Sequence, residues 1–245
     1  MSTALYLRSE YTLLQSLCPI NKIVKKTREY GYQSLAITDL NILAGASHFK
    51  TQCQLNNIKA IFGMEVDVLI NDGNYRLVLL AKDDDAYLKL MHLATYIDIN
   101  KKAIDYIALQ EYTDGCFVIL ESDDMYATSA FLKREDNAFS LLKENIEMFK
   151  GEVVVGLFDN DIALNRKLNR QIKDICKENG IKTVYMMRTL YMEKDDEDAY
   201  HILKAIKEKR LFDDPNLVIE SGRYFYHREE LEELYDEDDL AYSDY

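Results

Sequence analysis

Asp159-Asn160-Asp161 sets two carboxylates one residue apart, the D-x-D pattern that can chelate a divalent cation. It falls between a strand-like and a helix-like stretch, where the same residues serve turn and N-cap chemistry, and that is the expected role. The runs Asp83-Asp84-Asp85 and Asp195-Asp196-Glu197-Asp198 each precede a helical pattern, so their charge is expected to complement the helix dipole. His48, His92, His201 and His227 have no second histidine three or four positions on, the spacing that pairs imidazoles on one helix face for a metal. They are expected to be packing or surface residues. Cys18, Cys53, Cys116 and Cys176 form no C-x-x-C pair, so reduced, mostly buried thiols are expected. Cys18 stands just before a helix start that could lower its pKa, yet no histidine or aspartate accompanies it in sequence.

The elements that must position these groups alternate along the chain. Ala4–Leu7 is a short apolar run, and Pro19 opens a stretch with Ile20, Ile23, Val24 and Thr27 at helical spacing that Gly31 stops. Ser34–Asp39 reads as a buried strand, Leu43–Asn57 as a helix and Ile58–Ile70 as a longer strand. Asn71-Asp72-Gly73-Asn74 is a turn before a strand over Tyr75–Ala81. A helix over Asp84–Ile97 and a less regular stretch follow. Strands at Gly115–Leu120, Glu152–Phe158 and Lys182–Arg188 then alternate with helices at Tyr126–Phe149, Asp161–Asn179 and Asp195–Lys209. Such alternation favours parallel βα units and an α/β fold, either a barrel related to the (β/α)8 type or an open doubly wound sheet. No G-x-G-x-x-G or G-x-x-x-x-G-K-[ST] loop follows any strand to mark a nucleotide site.

Composition narrows the class. The chain has 245 residues, 48% of them hydrophobic, enough to bury a core without disulfides or metal. Two prolines, nine glycines and no Gly/Ser/Pro-rich linker argue against two tethered domains. No apolar run spans a bilayer and no signal-like segment opens the chain, so a cytoplasmic protein is expected. The net charge of −13 repels a phosphate backbone over most of the surface, so contact with nucleic acid is expected to be local or made by a partner. Eighteen tyrosines accompany no tryptophan, and no aromatic–basic stripe for single strands stands out.

Five segments, in order, resemble a known family. They are Tyr6-Leu7-Arg8-Ser9-Glu10-Tyr11-Thr12-Leu13-Leu14-Gln15-Ser16, Leu35-Ala36-Ile37-Thr38-Asp39-Leu40, Ile58-Lys59-Ala60-Ile61-Phe62-Gly63-Met64-Glu65-Val66, Tyr75–Lys82, and Phe212-Asp213-Asp214-Pro215 with Tyr224-Phe225-Tyr226. Together they resemble the PHP (polymerase and histidinol phosphatase) domain at the N-terminus of the bacterial DNA polymerase III alpha subunit. The resemblance implies a distorted TIM-like (β/α)7 barrel. Active members hold Zn, Mn or Fe through histidines and carboxylates and hydrolyse phosphoesters, since such metals lower the pKa of bound water.

Measured against the family pattern, most ligand positions are altered. The first H-x-H corresponds to Tyr6-Leu7-Arg8, and the acid that follows it to Gln15. T-D-H reads Thr38-Asp39-Leu40, the histidine of Y-H-L is Arg76, and the late D-x-H reads Arg188-Thr189-Leu190. Glu65 keeps its family identity, and Asp39 survives as well. No ligand is assigned in the region Gly115–Leu120. One or two carboxylates cannot hold a catalytic transition metal. Arg8, Arg76 and Arg188 are instead expected to pair with Asp39 and Glu65 in an ion-pair network, or else to form an anion pocket.

The resemblance thus implies a barrel domain over 1–228, then a short helix and acidic frayed tail over 229–245 leading toward a polymerase portion. It implies a catalytically inactive scaffold in DNA replication, without catalytic residues, metal or cofactor of its own, although the parent family is a DNA-directed DNA polymerase. The implied partners are that polymerase portion and a proofreading exonuclease subunit, with DNA met only through the complex. An active phosphoesterase or nuclease and a free-standing interaction module are the rival readings.

Overall fold

A computed structural model of the chain describes residues 3–158, 163–218 and 221–234. The strands, in chain order, are β1 (Thr3–Ala4), β2 (Ser34–Ile37), β3 (Lys59–Ile70), β4 (Gly73–Ala81), β5 (Ile104–Asp105), β6 (Cys116–Glu121), β7 (Glu152–Phe158) and β8 (Thr183–Met186). The helices are α1 (Ile20–Glu29), α2 (Ala46–Asn56), α3 (Asp84–Asn100), α4 (Tyr106–Thr113), α5 (Thr128–Lys133), α6 (Ala138–Glu147), α7 (Ala163–Glu178), α8 (Glu197–Glu208) and α9 (Arg228–Leu234). In sheet order the strands run β1-β2-β3-β4-β6-β7-β8, with β5 beside β3.

The chain divides into two compact units, each discontinuous in sequence. The first comprises 1–39, 44–61 and 187–245; the second comprises 40–43 and 62–186.

In the first unit α1 forms where the sequence places it. Ile20, Ile23, Val24 and Thr27 are buried along one face, and Gly31 ends the helix at φ +82°, a backbone state that costs glycine nothing. Pro19 has no side-chain cap to offer; Glu10 Oε2 accepts from the Ile20 amide at 2.9 Å instead. β1 and β2 pair in parallel, and Leu7 forms a parallel bridge to Thr189. Between them Thr38 Oγ1 accepts from the Leu7 amide at 3.0 Å, so Leu7 and Thr38 hold the segments that carry Tyr6, Arg8 and Asp39.

The second unit buries the larger apolar cluster, in which Met64, Val66, Val68, Leu77, Leu79, Val118 and Leu120 of the central strands meet Leu90 and Leu93 of α3. Here two strand pairings depart from the parallel βα units that the alternation favours. β3 and β4 pair antiparallel with Ile70 opposite Gly73, and β4 pairs antiparallel with β6. Only two residues, Asn71 and Asp72, connect the first pair, too few for the crossover that parallel strands need. The β6–β7 and β7–β8 pairs are parallel.

Two further elements differ from expectation. The helix expected over Tyr126–Phe149 is two, α5 and α6, broken at Arg134 with φ +58°. The stretch after α3 holds β5 and α4, whose N-cap Asp105 accepts from the Ile107 amide at 2.9 Å. The two acidic runs stand at helix starts as expected, with Asp84 and Asp85 in the first turn of α3 and Glu197 and Asp198 in that of α8. Asp83 also caps α3 by accepting from the Ala86 amide at 2.8 Å, whereas Asp196 makes no side-chain cap to α8 and instead accepts from the Glu193 amide at 2.9 Å in the turn before it. Asp159-Asn160-Asp161 and the tail beyond Leu234 lie outside the described residues.

Candidate functional site

The motif positions fall into both units. Tyr6, Arg8, Gln15, Asp39, Arg188 and Leu190 belong to the first; Leu40, Glu65 and Arg76 belong to the second.

In the first unit Tyr6, Arg8 and Arg188 are all buried. Arg188 Nε donates to the Tyr6 hydroxyl at 3.0 Å, with the guanidinium carbon 5.2 Å from the centre of the Tyr6 ring. Arg8 Nη1 donates to Gln15 Oε1 at 3.3 Å. A planar guanidinium with five donors suits such fixed contacts better than an ammonium would. Leu190 is fully buried among Tyr191 and Tyr200, as an isobutyl group requires.

Asp39, only 1% exposed, departs from the expectation of an arginine partner. Its Oδ1 accepts from the Ser9 amide at 2.7 Å and the Thr12 hydroxyl at 2.6 Å, and its Oδ2 accepts from the Ser9 hydroxyl at 2.7 Å. The loop after the first strand thus supplies three neutral donors. Burial pushes the Asp39 carboxyl above the usual range, against the pull of the Thr12 and Ser9 bonds.

In the second unit the guanidinium meets carboxylates. Arg76 Nε lies 3.0 Å from Asp67 Oδ1 and 3.7 Å from Glu65 Oε1. Asp67 stands directly opposite Arg76 in the β3–β4 register. Glu65, fully buried, lies two residues earlier on the same face of β3. Asn41 orients Asp67: its Nδ2 donates to Asp67 Oδ2 at 3.0 Å, and its Oδ1 accepts from the Asp67 amide at 3.1 Å. Leu40 forms a backbone bridge to Glu65, which places this segment without any ligating side chain. On the other side of β4, the paired register with β6 ends at Leu77 opposite Leu120, and the next residue of β6 is the fully buried Glu121.

Ser9, Thr12, Asn41, Asp67 and Glu121 are the residues that the motif reading missed. The alternation of strand side chains could have found Asp67, two positions from Glu65. Glu121 directly follows the region in which no ligand was assigned.

A family metal would need several nitrogen, oxygen or sulfur lone pairs converging on one point. The residues at the motif positions do not fit that need: the guanidinium groups of Arg8, Arg76 and Arg188 offer N–H groups and no lone pair, and Leu40 and Leu190 have no polar side-chain atom. Among the described residues no three His, Cys, Asp or Glu side chains are grouped to hold a metal ion. The four histidines lie elsewhere. His48 sits edge-on to Tyr11, and His227 stacks on Tyr30 with ring centres 3.6 Å apart. All four cysteines are free and buried, and burial raises the Cys18 thiol to about 12, the reverse of an activated nucleophile. Among the described residues no helix is long and apolar enough to cross a membrane.

The model of the PHP domain family matches residues 5–159, well over half of the chain. The chain belongs to the PHP domain family. It is 26% identical over 250 residues to the DNA polymerase III subunit alpha of Aquifex aeolicus, covering 93% of this chain and 21% of that protein. It is 29% identical over 219 residues to the DNA polymerase III subunit alpha of Bacillus subtilis, covering 86% of this chain and 19% of that protein. The PHP chain thus spans about a fifth of the length of these curated relatives. A solved amidohydrolase from Chromobacterium violaceum superposes with a TM-score of 0.57 at 10% identity, over 80% of this chain and 89% of that one. This likeness bears out the fold class: a mixed α/β fold of the TIM-like barrel type, here with antiparallel β3, β4 and β6.

Proposed function

We propose that this PHP domain serves a replicative DNA polymerase as a catalytically inactive structural domain, with internal bonds in place of the family's metals. One observation supports the reading above the others: polar residues at the family's ligand positions bond to one another. Arg188 donates to Tyr6, Arg8 donates to Gln15, and Arg76 pairs with Glu65. A tethered guanidinium beside Glu65 supplies the positive charge that a metal would otherwise bring. Arg76 faces two carboxylates, which favours the ion-pair reading over an anion pocket at that arginine. Such pairs hold geometry more than they add stability, because desolvation offsets much of the Coulomb attraction. In this reading the domain buttresses the polymerase portion and offers a docking surface to a proofreading exonuclease subunit.

The test is elemental analysis by plasma mass spectrometry on protein purified without chelator, beside hydrolysis of bis(p-nitrophenyl) phosphate. The expected result is less than about 0.2 Zn, Mn or Fe per chain and no turnover. Two or more metals per chain with turnover would make the domain a phosphoesterase and overturn the proposal.

A further inference from the structure

α3 has two apolar faces, and the core of the second unit uses one. Ala86, Leu90, Leu93 and Ile97 are buried there, at the spacing that puts them on one side of a helix. On the opposite side Leu88, Met91 and Ile99 are 52%, 44% and 75% exposed, and Thr95, between the last two, is exposed as well. At 3.6 residues per turn, positions 88, 91, 95 and 99 fall within an arc of about 80° and run about 16 Å along the axis. Regular helix geometry therefore makes them neighbours in one stripe. Tyr96, 37% exposed, flanks it. Single exposed apolar residues are ordinary, but a stripe at i, i+3, i+7 and i+11 is the pattern that a second helix covers.

The two ends of the stripe carry opposite charge. Asp84 and Asp85 are exposed in the first turn of α3, and Lys101 and Lys102 are exposed just past its last. Lys101 is paired with Asp98, so those two cancel. Asp84, Asp85 and Lys102 make no side-chain hydrogen bond or ion pair among the described residues, which leaves an acidic end and a basic end without local compensation.

That polarity selects the occupant. A second copy of α3 laid antiparallel, in the register that sets Leu88 against Ile99, also sets Met91 against Tyr96 and Asp85 against Lys102. A two-fold axis makes each contact twice. The helix dipoles then oppose each other, and at the shallow crossing of about 20° the ends stay close enough for the charges to meet. A parallel pair would set acid on acid. The net charge of −13 opposes association of two copies at long range, but at 0.15 M salt it is screened beyond about 8 Å while the contact pairs are not. One helix seam falls short of the about 800 Å² per partner of a standard interface, so the dimer is weak and concentration-dependent.

We infer that Leu88, Met91, Thr95 and Ile99 form a homodimer seam, closed by a second copy of α3 running antiparallel with Asp85 of each chain against Lys102 of the other.

The experiment is sedimentation velocity on the 245-residue chain at 0.15 M salt, from about 5 to about 500 µM, the range in which so small a seam should assemble. The weight-average mass should rise from one chain toward two. Met91→Glu/Ile99→Glu should hold the protein monomeric with an unchanged melting temperature. Asp85→Lys alone and Lys102→Asp alone should each weaken the dimer at least five-fold, and Asp85→Lys/Lys102→Asp together should restore it to within about two-fold of wild type, a rescue that only the antiparallel register gives. A chain that stays monomeric throughout overturns the proposal. So does a dimer that survives Met91→Glu/Ile99→Glu, or one that the charge exchange fails to rescue. Protection of Met91 from peroxide oxidation that appears only when a polymerase portion is joined to the chain would give the stripe to that occupant, and would overturn the homodimer while leaving the proposed function standing.

Discussion

Asp39 and Glu65 are both buried carboxylates at PHP motif positions, yet they are satisfied in opposite ways. Asp39 sits in the first unit among two hydroxyls and an amide, all neutral. Glu65, in the second unit, has a permanent cation 3.7 Å away, and Asp67 shares it. Neutral donors satisfy hydrogen-bonding capacity but offset little of the cost of burying charge, which is why the Asp39 carboxyl titrates above its ordinary range. A guanidinium offsets charge directly, and its own position then depends on the carboxylates around it. A buried carboxylate at a motif position can therefore be satisfied by either chemistry, with different sensitivities.

Truncating the charged member of the second arrangement should give the largest effect. Glu65→Ala leaves Arg76 with only part of its compensation, so a loss of about 3 kcal/mol in unfolding free energy is expected from denaturant titration. A loss below about 0.5 kcal/mol would mean that the Glu65–Arg76 pair contributes nothing. On the Asp39 side, Thr12→Val removes one donor to a buried carboxylate and should cost about 1.5–3 kcal/mol. A neutral result there would mean that Ser9 alone satisfies the group.

The smallest effect is a slope with pH. A carboxyl raised in the folded state contributes stability that is present below its unfolded pKa, near 3.9, and is lost as pH rises through the raised folded value. Wild type should therefore lose ground to Asp39→Asn as pH rises through the carboxylate range. Movement in the other direction would mean that the Ser9 and Thr12 bonds outweigh burial, bringing Asp39 closer in behaviour to an ion-paired carboxylate.

Several parts of this molecule were legible in advance. α1 could be read from Pro19, four apolar-face positions and Gly31, because helix periodicity and its punctuation are local properties. The turn at Asn71–Asn74 was equally visible, and it implied the antiparallel β3–β4 pair that the general βα rhythm obscured. The break between α5 and α6 was hidden, since Arg134 gives no glycine-like signal for its positive φ. The partners of Asp39 were hidden for a different reason. Ser9 and Thr12 lie 30 and 27 residues away, and nothing local ties a loop serine to a distant carboxylate.

The sequence by itself determined the donor chemistry at each motif position, because whether a side chain can offer a lone pair to a metal is a property of its type. Arginine and leucine cannot, wherever the fold puts them. Only the tertiary structure decided which groups meet: Asp39 with hydroxyls, Glu65 and Asp67 with Arg76, Tyr6 with Arg188. Hydrogen bonds and ion pairs act over a few ångströms, so the choice among chemically equivalent partners rests with strand register and loop path.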